Sequence, residues 1–202
     1  MDNCHIVALC NQKGGVGKSF STASLGVGLA RTGKKVLLVD ADPQGSLGIS
    51  MGIGAPDELE ISLATVIAGV IEDKPLPLGA GIIRHQEGVD ILPANIELSG
   101  LEVSLFNVMS REYVLRNCME PLRKQYDYIL IDCMPSLGIM TVNALVAADS
   151  VIIPSQPSFL SAKGLDLLLH TVAKVRRSIN AALNSFKVEK ALVALGELGT
   201  FA

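Results

Sequence analysis

The chain has 202 residues, 49% of them hydrophobic and 18% charged, which suits one α/β domain with a well-buried core. A net charge of −3 excludes a globally basic nucleic-acid binder but leaves room for a local basic face. The start Met1-Asp2-Asn3 carries no basic n-region, and Asp, Pro or Lys breaks each apolar stretch before transmembrane length. The expectation is therefore a cytoplasmic protein, neither secreted nor membrane-spanning. Cys4, Cys10, Cys118 and Cys133 form no Cys-x-x-Cys pair, which predicts buried free thiols rather than zinc ligands or disulfides.

In chain order, Ile6-Val7-Ala8-Leu9-Cys10 is an apolar run of the kind a buried parallel strand requires. Gln12-Lys13-Gly14-Gly15-Val16-Gly17-Lys18-Ser19 follows at once. Glycines at these positions let backbone N–H groups turn around a β-phosphate, a lysine reaches the β/γ oxygens, and a hydroxyl ligates Mg²⁺. Gly15, Gly17, Lys18 and Ser19 fill those roles. The strict phosphate-loop pattern fails at its first position, where Gln12 stands, and Lys13 adds one cation more than the loop needs. A dinucleotide fingerprint is excluded because Phe20 occupies the place of its last glycine. Beyond the loop, Ala23, Leu25, Val27, Leu29 and Ala30 have helical spacing, with Arg31 and Gly33 as a basic last turn and a stop. The helix dipole and its free N–H groups thus point at the loop.

Lys35-Val36-Leu37-Leu38-Val39-Asp40 predicts a second buried strand, which brings Asp40 and Asp42 to a carboxyl edge where parallel sheets bind ligands. Residues 46–60 read as an exposed Gly/Ser-rich loop and Leu59 to Val70 as a short helix. Ile82-Ile83 and Val89 to Leu92 predict short strands around a turn at Gln86-Glu87-Gly88, and residues 96–125 a helical stretch kinked at Pro121. Tyr128-Ile129-Leu130-Ile131-Asp132 is again an apolar strand ending in a carboxylate, placed to hold Mg²⁺ through water. Val151 to Pro154 predicts a further strand, and Leu165, Leu168, Leu169, Val172 and Ile179 the core face of a following helix. Alternating strands and helices imply an α/β fold, a doubly wound, mostly parallel sheet flanked by helices.

The ordered combination of Lys13 to Ser19, Val36 to Gly45 and Tyr128 to Ser136 resembles the ParA/MinD family of deviant Walker A P-loop ATPases. The Asp42-Pro43-Gln44-Gly45 element is similar to the ParA/Soj branch, which partitions chromosomes and plasmids. The resemblance implies a Rossmann-like three-layer fold and a single ATPase domain over residues 1–202, with ATP and Mg²⁺ as cofactors. Lys13, Gly14, Gly15, Val16, Gly17, Lys18, Ser19 and Phe20 would line the nucleotide, and Ser19, Asp40 and Asp132 would serve the metal and its waters. Lys13, Lys18 and Asp42 would be catalytic. Lys13 would reach the partner's nucleotide across an ATP-sandwiched homodimer, and Asp42 would orient the attacking water. A ParB-like centromere-binding protein and nonspecific DNA are the implied partners.

Three departures from the family accompany this resemblance. Phe20 replaces a hydroxyl residue that touches the α-phosphate, Met134 replaces the first proline after the Asp132 strand, and the strand, base-contacting loop and helices expected after about residue 180 are missing or altered. The departures keep open a degenerate nucleotide-binding switch with little turnover. A MinD-like membrane-associated ATPase is disfavoured by Asp-Pro-Gln-Gly and by the lack of a terminal amphipathic basic helix. The usual C-terminal basic DNA site is not evident. From Lys163 to Lys190 six Lys/Arg stand against two acids, which reads as a solvated helix face more readily than a DNA contact.

Overall fold

Strand β1, His5–Leu9, and strand β2, Val36–Ala41, are apolar nearly throughout because each buries both of its faces. The computed structural model describes residues 4–155, 159–183 and 185–187. Its sheet adds β3 (Ile83–Arg84), β4 (Asp90–Leu92), β5 (Tyr128–Cys133), β6 (Ser150–Ile152) and β7 (Ser185–Lys187). The seven strands run in the order β3-β4-β2-β5-β1-β6-β7. All neighbours are parallel except β3, which pairs antiparallel with β4.

Alternation along each strand sends one residue to each side of the sheet. Ile6, Ala8, Leu37, Val39, Ile129 and Ile131 face the larger core, and Val7, Leu9, Val36, Leu38 and Leu130 the smaller one. The larger core is closed by α3 (Leu63–Ile71), α4 (Glu97–Leu105), α5 (Val114–Met119), α6 (Ile139–Ala147) and α7 (Phe159–Ser178). Helices α1 (Lys18–Arg31) and α2 (Ser46–Ser50) cover the smaller core. The expected doubly wound, three-layer α/β architecture is therefore present.

Several elements differ from their sequence expectation. In helix α1, Ala23, Val27, Leu29 and Ala30 pack against the smaller core as their spacing implied, but the buried positions are Lys18, Thr22 and Gly26, and Leu25 is 36% exposed. At Gly26 an added Cβ would lie 2.5 Å from Leu38 Cδ2, so this glycine sets how closely helix and sheet approach. The stretch expected as an exposed loop from residue 46 begins with α2, whose Leu47 is fully buried. Helix α3 starts at a capping box made by Ser62 and Thr65, several residues after the predicted Leu59. The stretch 96–125 is not one kinked helix but α4, α5 and two 3-10 turns, and Pro121 sits in the first turn of the second, where its missing N–H costs no helical bond.

A strand was not expected after residue 180, yet β7 extends the sheet beyond β6, with Val151 opposite Phe186. Ahead of it, Asn180 is buried and its Nδ2 donates to the carbonyls of Leu145, Val146 and Ala148 at 3.1, 3.1 and 2.9 Å. These bonds satisfy the end of α6 and fix where the chain leaves α7. Leu168 and Val172 are buried as expected, while Lys174, Arg176 and Arg177 lie on the exposed face. Lys190 and the rest of the tail fall outside the described residues.

Candidate nucleotide site

Three strands end side by side at the carboxyl edge, β2 and β5 in a register that pairs Asp40 with Asp132, and β1 with Leu9 opposite Asp132. The turn leaving β1 starts at Asn11, a buried side chain that sequence reasoning passed over. Its Nδ2 donates to Pro154 O at 2.7 Å and its Oδ1 accepts from Lys13 N at 2.9 Å, so it ties the loop to the end of β6. The available signal was a polar residue directly between an apolar strand and a glycine loop.

The loop then turns through Gly15 (φ +70°) and Gly17 (φ +85°), left-handed conformations that glycine adopts without strain. A Cβ at Gly14, Gly15 or Gly17 would meet no atom within 4 Å, so the space beside the loop is open. Val16 is buried and holds the loop down, while Lys18 opens α1 and is only 7% exposed. Lys18 Nζ donates to Lys13 O at 3.5 Å, curling the ammonium back over the loop. Ser19 follows in the first turn of α1. Phe20 is 67% exposed, so only its backbone is available to a phosphate.

Asp132 is 1% exposed. Its Oδ1 accepts from Thr22 Oγ1 at 3.4 Å, and its Oδ2 has no hydrogen-bond partner among the described residues. An unsatisfied buried carboxylate oxygen costs about 1–3 kcal/mol or more. Burial pushes the Asp132 pKa up to about 6, against the opposing pull of the Ser19 hydroxyl and the Lys18 charge. A Mg²⁺-bound water would donate to this oxygen and relieve both penalties, so these residues fit the metal. Thr22 is a second residue missed from sequence; its signal was a hydroxyl one helical turn beyond Lys18.

Asp40 is fully buried, and both its oxygens already accept backbone N–H groups: Asp42 at 3.1 Å, Leu47 at 3.0 Å and Gly48 at 3.1 Å. Burial raises its pKa to about 7, with the Gly48 and Asp42 N–H groups pulling down and the Asp132 charge pushing up. Its first task is to anchor the loop from Asp42 into α2. Asp42 itself folds into a turn, its Oδ1 accepting from Gln44 N at 3.0 Å, and Gly45 continues it at φ +61°. A Cβ on Gly45 would lie 3.2 Å from Pro56 and 3.3 Å from Ala94 O, so the turn is walled on its far side.

The loop after β5 is tied down despite Met134. Gly138 N donates to Ser136 Oγ at 3.1 Å and Thr141 Oγ1 to Ser136 O at 2.8 Å. Glu102 of α4 lies beside it, its Oε1 accepting from Met140 N at 3.4 Å.

A phosphate loop opening a helix, with a buried carboxylate on the neighbouring strand facing its lysine and hydroxyl, defines a P-loop nucleotide-binding protein. A family profile described as an AAA domain matches residues 4–185. The chromosome partitioning protein ParA of Caulobacter vibrioides is 41% identical over 180 residues, covering 88% of this chain and 66% of the relative. The sporulation initiation inhibitor protein Soj of Bacillus subtilis is 42% identical over 178 residues, covering 88% of this chain and 68% of the relative. A solved cobyrinic acid a,c-diamide synthase from Mycobacterium smegmatis, with bound ATP analog and magnesium, has a TM-score of 0.83 at 40% identity, over 89% of this chain and 71% of that one. The chain belongs to the ParA/MinD-like P-loop ATPase family. It spans between 55% and 68% of the length of the curated relatives it matches.

Proposed function

We propose that this chain is a Mg²⁺-dependent ATPase that acts in chromosome or plasmid partition. The observation that carries this reading is the buried, half-satisfied Asp132 carboxylate set beside Lys18, Ser19 and Thr22 at the mouth of the glycine loop. Mg²⁺, when bound, neutralises phosphate charge and polarises the γ-phosphoryl group. The N–H groups from Gly14 to Ser19 cradle phosphate oxygens, and the Lys18 ammonium moves from the Lys13 carbonyl onto the β/γ oxygens. Ser19 would ligate the metal, Asp132 would accept from a water on it, and Asp40, whose oxygens hold the Asp42 turn, would support that water shell.

Asp42 orients the attacking water. Lys13 reaches the nucleotide of a second copy in an ATP-sandwiched homodimer, where a cation supplied in trans offsets the charge that develops during phosphoryl transfer. The similarity to a chromosome partitioning protein supports a ParB-like partner and nonspecific DNA as what the dimer engages. The test compares ATP turnover of the chain with Asp42→Ala. Turnover that falls in the variant supports the reading, and equal, near-zero rates in both would sink it. In sizing runs with ATP and Mg²⁺, Asp42→Ala should elute as a dimer. Adding Lys13→Ala should return it to a monomer that still binds nucleotide.

A further inference from the structure

At the amino edge of the sheet, opposite the phosphate loop, the starts of β2 and β4, the end of β3 and the turn before β5 border an open cavity of about 540 Å³. Lys34, Lys35, Arg84 and Lys124 line it, against Asp90 as the single acid among the described residues. The Asp90 Oδ2 is engaged by the Tyr126 hydroxyl at 2.8 Å. The neighbouring acids are turned elsewhere: Asp127 Oδ2 accepts the Lys35 backbone N–H at 2.8 Å, Glu87 pairs with Arg31 and Glu120 with Arg123. None of the four cations makes an ion pair among the described residues. In a chain of net charge −3, such a concentration of unneutralised positive charge around a concave wall focuses the field outward and attracts multivalent anions.

We propose that this cavity is a second phosphate-binding site, taking the phosphates of a nucleic-acid backbone or of a free oligophosphate. Three lysines suit this chemistry, since an ammonium meets phosphate oxygens as a point charge from any direction, while Arg84 adds a planar fork for two oxygens of one group. The site is built by residues at the starts of β2 and β4, at the end of β3 and in the turn at residues 124–126. It rests on no assumption about turnover at the phosphate loop.

The test uses the full chain saturated with ADP, titrated with inorganic tripolyphosphate and, separately, with a labelled duplex of unrelated sequence at several salt concentrations. The double variant Lys34→Ala/Lys124→Ala is compared with the wild type and with Arg31→Ala, an exposed cation outside the cavity. Loss of affinity of about tenfold for tripolyphosphate alone assigns the site to a free oligophosphate. A salt slope for the duplex that is shallower by about 2 in the double variant assigns it to a nucleic-acid backbone. Either result supports the proposal, provided Lys34→Arg/Lys124→Arg restores the wild-type value. Absence of binding of both probes to the wild type, or equal binding by the wild type and the double variant, overturns it. ADP binding measured in parallel separates a failure here from a failure of the nucleotide site.

Discussion

Gly26→Ala and Gly28→Ala provide a matched pair in α1. Replacing either glycine favours a helix by about 0.8–1 kcal/mol, since alanine loses less backbone freedom on folding. At Gly28 the added methyl meets nothing within 4 Å, so the whole gain should appear as stability. At Gly26 it would stand 2.5 Å from Leu38 Cδ2. Leu38 is fully buried, with Ile91 and Leu130 as its neighbours across the sheet, so its side chain can give way only by repacking within a filled core. Overpacking of this kind costs about 1–3 kcal/mol. The two variants should therefore differ by about 1–3 kcal/mol in urea unfolding followed by far-UV circular dichroism, with Gly28→Ala the more stable. Each kcal/mol corresponds to about 2–4 °C in Tm for a chain of this size. Because α1 carries Lys18 and Ser19 in its first turn, displacing it from the sheet should also weaken nucleotide binding in Gly26→Ala and leave Gly28→Ala unchanged. Equal stability of the two variants would refute the claim that Gly26 sets the helix-to-sheet distance.

Three further outcomes are expected. With ATP present, wild-type Tm should rise on adding Mg²⁺, reaching about 2.7 kcal/mol of stabilisation at one hundred times the dissociation constant; Asp132→Ala should abolish the Mg²⁺ increment, and an undiminished increment would remove Asp132 from the metal site. Asn180→Ala leaves the Leu145, Val146 and Ala148 carbonyls without their shared donor, at about 1–3 kcal/mol in the same unfolding assay, whereas a change within experimental scatter would show that water replaces it. Burial raises the Cys4 thiol from 9.0 to about 11 and that of Cys118 to about 12. These thiols ionise earlier in the unfolded chain, so they leave stability unaffected below pH 9 and reduce it as pH rises from 9 towards 12. Native-state alkylation should accordingly be slow at pH 8 and become fast in denaturant; rapid labelling of the folded protein would contradict the burial of all four cysteines.

The elements that were legible from sequence are those whose physics is local. Ile6 to Cys10, Val36 to Asp40 and Tyr128 to Asp132 are apolar runs because both faces of a central parallel strand are buried. The glycine loop announces its own backbone conformation, and carboxylates at strand ends fall on the binding edge of any such sheet. The individual tasks of those carboxylates were less legible. Asp40 and Asp132 look alike in sequence, yet one has both oxygens on backbone N–H groups and the other keeps an oxygen unsatisfied.

Sequence alone determined the class of site and the order of its parts, because phosphate binding needs a short, contiguous pattern of glycines, a lysine and a hydroxyl. Tertiary structure decided what depends on residues far apart in the chain. Gly26 rather than Leu25 faces the sheet because Leu38 stands opposite it, and Asn11 is anchored by Pro154 across 143 residues. The strand Ser185–Lys187 exists through its pairing with β6. The basic cavity forms only where Lys34, Arg84 and Lys124 converge at the amino edge. Their proximity comes from strand order, which no local propensity encodes.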